Sequence, residues 1–203
     1  MYKTPDGKEI FVIDGHTHFW DGSPENQRNI HGKQFIDCFY AYHTNLSPPD
    51  QRWEKAKFEK YSMEDLYHDL FIEGPDDIAI VQSTYLKDFY RNGFNTIERN
   101  ASVAARYPER FIVNGGFDPR DGEAALEYIH FLKETYNVQG MKLYTAEWHG
   151  ESKGYKLSDP ATYKCLELCE KLGIRNMHVH KGPTIIPLNL DAFDVRDVDA
   201  AAT

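Results

Sequence analysis

The chain has 203 residues, 41% hydrophobic and 14% aromatic, with a formal charge of −9, enough apolar material for one packed core. The acidic balance argues against a nucleic-acid or anionic-membrane surface, and no stretch approaches the roughly 18–20 apolar residues of a membrane span. The polar N-terminus lacks the apolar core of a signal peptide, so a cytoplasmic setting is the expectation. Of the three cysteines, Cys165 and Cys169 lie four apart on an expected helix and read as small core residues.

In chain order, the apolar run 10–13 opens a first strand and leads into Asp14-Gly15-His16-Thr17-His18. Side chains two apart on a strand point the same way, so His16 and His18 can present two imidazoles to one point, as a divalent metal requires of its first ligands. Residues 21–60 read as a long irregular insertion, rich in aromatics (Phe35, Phe39, Tyr40, Tyr42, Trp53) and broken by Pro48-Pro49. Such a segment serves as a lid, a small subdomain or an oligomer contact. Ser62 has N-cap chemistry for a helix over 62–73, with Glu64 and Asp65 in its first turn. Gly74-Pro75 stops it before a buried strand over 77–82.

A helix over 95–107, halted by Pro108, precedes a strand over 111–117. The next helix, 122–135, carries Ala125, Leu126, Ile129 and Leu132 at helical spacing and leads to a strand over 139–144. Asp159-Pro160 starts a helix that ends near Leu172-Gly173 and delivers the strand 174–180. Residues 191–203 read as the opening of one more helix.

Five strands alternating with helices predict an α/β fold with a parallel sheet. A closed (β/α)8 barrel takes about 250 residues, and the insertion consumes some of those present. The expectation is therefore one domain over 1–203, the N-terminal part (about five βα units) of a metal-dependent (β/α)8 TIM barrel, incomplete at the C-terminus. A complete five-stranded doubly wound domain is the alternative.

Ligands on such a sheet belong at the C-terminal strand ends. His16 and His18 end the first strand, and His178 and His180 end the fifth. His180, at the tip, is the preferred ligand of the second pair, with His178 deeper or supporting. Three or four imidazoles at one rim suit Zn²⁺, Mn²⁺ or Fe²⁺. Lys142, flanked by apolar residues in the fourth strand, must reach a polar partner: a substrate anion, a carboxylate, a metal-bridging modification of the lysine, or solvent. Asp118 reads as a turn cap, and Glu147 and His149 also fall at the rim. His31, His43, His68 and His130 sit in insertion or helix positions and are not expected to be ligands.

Val-Ile-Asp-Gly-His-Thr-His (12–18), Gly-Met-Lys-Leu-Tyr (140–144) and His-Val-His-Lys-Gly-Pro (178–183) together resemble the amidohydrolase superfamily. They are most similar to its type 2 branch, which includes the aminocarboxymuconate-semialdehyde decarboxylase-like enzymes. The resemblance implies a (β/α)8 barrel with one divalent metal, zinc by preference with manganese or iron as alternatives, held by His16, His18 and His180. It also implies a later histidine and an aspartate that lie beyond Thr203, so the catalytic acid is not assigned and this chain alone is expected to be catalytically poor. The implied activity is a metal-dependent hydrolase or carboxy-lyase on a small carboxylated substrate, positioned by Lys142 and Trp20. Two other readings stay open: a histidinol-phosphatase-like phosphoesterase, and a non-catalytic barrel fragment. Small-molecule substrate is the expected partner, with self-association undecided.

Overall fold

Short runs bounded by turn residues form the sheet. In the computed structural model, which describes residues 1–202, these runs are β1 (Ile13–Thr17), β2 (Ile78–Val81), β3 (Phe111–Val113), β4 (Gly140–Leu143) and β5 (Asn176–Val179). Among these five strands pairing is parallel, β1 with β2, β2 with β3 and β4 with β5. A parallel bridge from Gly115 to Met141 joins the two groups, so the strands follow in sequence order. The result is an α/β fold, part of a barrel wall. Two glycines allow the join: a Cβ on Gly115 would meet Met141 Sδ at 2.8 Å, and one on Gly116 would meet the Lys142 carbonyl at 2.9 Å.

Between the strands run α2 (Met63–His68), α3 (Ile97–Arg106), α4 (Glu123–Tyr136) and α5 (Pro160–Lys171), with α1 (Ile30–Leu46) preceding them. Ser62 and Asp65 form the reciprocal capping box of α2. Thr96 caps α3. Ile129 and Leu132 of α4 pack with Cys165 and Cys169 of α5 against Met141 and Leu143 of β4. The cysteines are free and buried. Residues 190–202 form two short 3-10 turns and a helix over Val198–Ala202; Thr203, the last residue of the helix expected there, lies outside the described residues. No helix among the described residues is long and apolar enough to cross a membrane.

The segment expected to be irregular, 21–60, instead holds α1, a helix of 17 residues. Its Phe35, Ile36, Phe39, Tyr40 and His43 fall on one face at helical spacing, and the Asn29 side chain accepts from the His31 N–H at 3.0 Å as its cap. Phe35 and Ile36 are buried with Phe58, Phe89, Tyr90 and Phe94, and this aromatic cluster extends to Tyr144, Ile185 and Phe193 beyond the ends of β4 and β5. The insertion thus roofs the C-terminal rim of the sheet. Phe35 is 2% exposed, so Phe35→Ala should destabilise the fold by about 3–5 kcal/mol, read as a lower urea midpoint with an unchanged slope.

Candidate metal centre

Asp14 shapes the end of β1. Its carboxylate accepts from the His16 N–H at 2.9 Å, and the register slips by one residue between Asp14 and Thr17. Such a bulge re-aims the side chains that follow it. The Nε2 atoms of His16 and His18 come together at 2.8 Å. On the other side, His18 Nδ1–H donates to the Gln82 carbonyl at 2.8 Å. Because a carbonyl only accepts, the neutral His18 ring keeps its proton on Nδ1 and presents a lone pair at Nε2.

His16, His18, Lys142 and His180 line one cavity of about 230 Å³, with Trp20, Phe35, Phe39 and Phe94 among its walls. Lys142 is buried, and its Nζ lies 3.2 Å from His16 Nε2. No carboxylate among the described residues bonds its ammonium, and burial lowers its pKa to about 8. Burial and the Lys142 charge also push the imidazoles down, to about 4 for His16 and His180 and about 3 for His18. All three are therefore uncharged near neutral pH, the form that ligates metals.

His180 stands apart from the pair. Its ring lies 4.8 Å from both Tyr144 and Phe193, and its Nε2 is buried with no hydrogen-bond partner. Among the described residues, the trio of His, Cys or carboxylate ligand atoms lying within 4.8 Å of one another is His68, Asp69 and Glu73, away from the strand ends and largely exposed. His178 is the cross-strand neighbour of Lys142, and Gln82 Nε2 donates to its Nδ1 at 3.1 Å. That bond occupies the Nδ1 lone pair and leaves the proton on Nε2, so neutral His178 has no donor free for a metal. Trp20 Nε1–H donates to the Phe58 carbonyl at 2.6 Å, leaving only its ring for the cavity.

The other rim groups are committed elsewhere. Asp118 caps the turn Pro119–Asp121 and holds Arg120 at 2.8 and 2.6 Å. His149 pairs with Asp121 at 2.6 Å, and His43 accepts from the Trp53 N–H at 2.8 Å. His31 bonds Gln34, and His130 is exposed on α4. Sequence reasoning did not single out Gln82 or Tyr144. The signal for Gln82 was the same as for Lys142: a polar residue at the buried end of an apolar strand.

A family model described as "Amidohydrolase" matches residues 13–203. No curated protein matches the chain. Among solved structures, it is similar to an uncharacterised TIM-barrel protein from Bordetella bronchiseptica, with TM-score 0.63 and 17% identity over 95% of this chain and 62% of that one. It is also similar to a 5-carboxyvanillate decarboxylase from Novosphingobium aromaticivorans, crystallised with manganese and 3-methoxy-4-hydroxy-5-nitrobenzoic acid (TM-score 0.58, 14% identity, 99% of this chain, 58% of that one). A third is a 2,6-dihydroxybenzoate decarboxylase from Rhizobium (TM-score 0.55, 13% identity, 95% of this chain, 54% of that one). Such low identities show the barrel fold alone, and the chain spans less than two thirds of each structure.

Glu147, just beyond β4, is half-buried, and burial together with nearby Asp118 raises its carboxyl from 4.5 to about 7. The folded state then holds more protons than the unfolded chain across that interval. Stability should fall as pH rises from about 4.5 to about 7 and level off above. Glu147→Gln should flatten that segment of the profile in urea unfolding at several pH values; an unchanged slope would place the titration on another group.

Proposed function

We propose that this chain, which belongs to the amidohydrolase family, contributes His16, His18 and His180 to the divalent-metal site of a hydrolase or carboxy-lyase acting on a small carboxylated substrate. The observation that carries this reading is a proton count. His18 Nε2 is a lone pair because its Nδ1 proton is given to Gln82. If His16 donates to it across 2.8 Å, then His16 Nε2 carries a proton toward the Lys142 ammonium at 3.2 Å. If His16 instead accepts from Lys142, two lone pairs face each other at 2.8 Å. Neither arrangement satisfies all three groups. A cation facing both nitrogens satisfies them, and the unpartnered Nε2 of His180 opens on the same cavity, though not within 4.8 Å of both, as the candidate third donor.

Imidazole donors suit zinc, manganese or iron. Zinc is the reading taken from the resemblance, and the manganese in the Novosphingobium decarboxylase supports a divalent ion. When bound, such an ion would polarise a substrate oxygen or acidify a water. The chain's own residues account for the rest. With the His16 lone pair turned to a cation, Lys142 loses its contact and its ammonium is free for a substrate carboxylate. Trp20, Phe39 and Phe94 exclude water around that pair, which strengthens it. Hydrolysis and non-oxidative decarboxylation would use this arrangement alike. The phosphoesterase reading needs acidic ligands at the ends of β2 and β3, and Asp118 is already spent on Arg120.

Titration of the chelator-treated chain with Zn²⁺ and Mn²⁺, followed by calorimetry, tests the proposal. Saturable binding is expected, weakened by at least about 10- to 100-fold in His16→Ala, His18→Ala and His180→Ala, with His178→Ala close to wild type. Absent binding, or binding indifferent to the three substitutions, would leave a barrel piece with no metal role.

A further inference from the structure

Thr84, Lys142 and Tyr144 also line a second cavity, of about 200 Å³, at the ends of β2, β3 and β4. Four more rings wall it, those of Tyr85, Phe117, Tyr128 and Tyr155, and Glu147 lies among them. A cavity of about 150 Å³ is enough to take benzene, so this one, at about 200 Å³, is large enough for a six-membered ring. Two of its lining residues, Lys142 and Glu147, are ionisable groups of opposite type. Lys142 has no carboxylate partner among the described residues, as described above. Glu147 Oε1 accepts only the Lys87 N–H, at 3.2 Å, and its other oxygen has no hydrogen-bond partner among the described residues. The nearest guanidinium, Arg120, bonds the Glu147 main-chain carbonyl at 2.8 Å and gives its remaining charge to Asp118. Lys87 turns its ammonium to Asp121 at 3.8 Å.

We propose that this second cavity is a substrate subsite in which Glu147 determines specificity, accepting a hydrogen bond from a hydroxyl or amino group on a ring whose carboxylate pairs with Lys142. The proposal deepens the functional reading above and rests on its assignment of Lys142 as the anion partner. Above its pKa of about 7, where Glu147 is ionised, a ligand with a second carboxylate beside it is disfavoured. It would meet the Glu147 carboxylate with no uncommitted cation beside it, and unpaired like charges in a confined site are costly. A ligand with only a hydrogen there leaves the Glu147 oxygen unpartnered.

The experiment is calorimetric titration of the metal-free chain with benzoate, 4-hydroxybenzoate and terephthalate at about pH 8, above the Glu147 value of about 7, so that its carboxylate is ionised. Wild type should bind 4-hydroxybenzoate about 10-fold more tightly than benzoate, and terephthalate more weakly than benzoate. Glu147→Gln should keep the hydroxyl preference and relieve the penalty on terephthalate. In Glu147→Ala, benzoate and 4-hydroxybenzoate should become equal. These ratios are insensitive to a loss of folded protein, which circular dichroism would report separately. Lys142→Met should weaken all three ligands in parallel. His16→Ala, which removes metal binding in the reading above, should leave the ratios unchanged, so the two proposals fail separately. No saturable binding of any probe, a hydroxyl preference that survives Glu147→Ala, or terephthalate bound as well as 4-hydroxybenzoate would each overturn it.

Discussion

Gln82, at the end of β2, is the point on which the histidine arrangement depends. Its main-chain carbonyl takes the His18 Nδ1 proton, and its side-chain amide reaches the Gly15 carbonyl at 3.1 Å and His178 at 3.1 Å. One residue therefore ties the first strand to the fifth and fixes a tautomer on each. Asn95 adds a donor to the same carbonyl at 3.0 Å. Buried hydrogen bonds of this kind specify orientation more than they add net stability. Here the orientation is the useful part, since it decides which imidazole has a lone pair to offer and which does not.

The second constraint is dryness. The aromatic roof formed by α1 and the segments around Phe58 and Phe94 lies over the rim where the histidines and Lys142 emerge. Removing water from that rim disfavours every charged form, so the imidazoles are neutral and the lysine is less basic than usual. The same desolvation makes a correctly placed counter-charge valuable. The insertion thus governs the chemistry of residues it does not itself contribute, apart from the rings in the cavity wall.

Much of this was legible in the chain. Short apolar runs bounded by Gly, Pro and Asp, alternating with helical spacing, marked all five strands near their observed places. Parallel topology then put the strand ends, and so His16, His18, Lys142 and His180, on one rim. The insertion was less readable. Two prolines and a dense set of aromatics hid the helical spacing of Phe35, Ile36 and Phe39, and Asn29 is a weak cap signal without a strongly apolar run behind it. Glu147 could be placed at the rim but not characterised, because its environment comes from Lys87, Asp118 and Arg120, which lie far from it in sequence.

The sequence by itself determined which residue types reach the rim, because strand period and chain order are local properties that survive almost any packing. Tertiary structure decided what each of them can do there. His178 and His180 look equivalent as a His-x-His pair, yet one has its Nδ1 lone pair occupied by Gln82 and the other keeps a buried, unpartnered nitrogen. Lys142 could have reached solvent, but the roof and the wall of rings closed that route. These distinctions depend on proton positions and water exclusion, which arise only when segments distant in sequence meet.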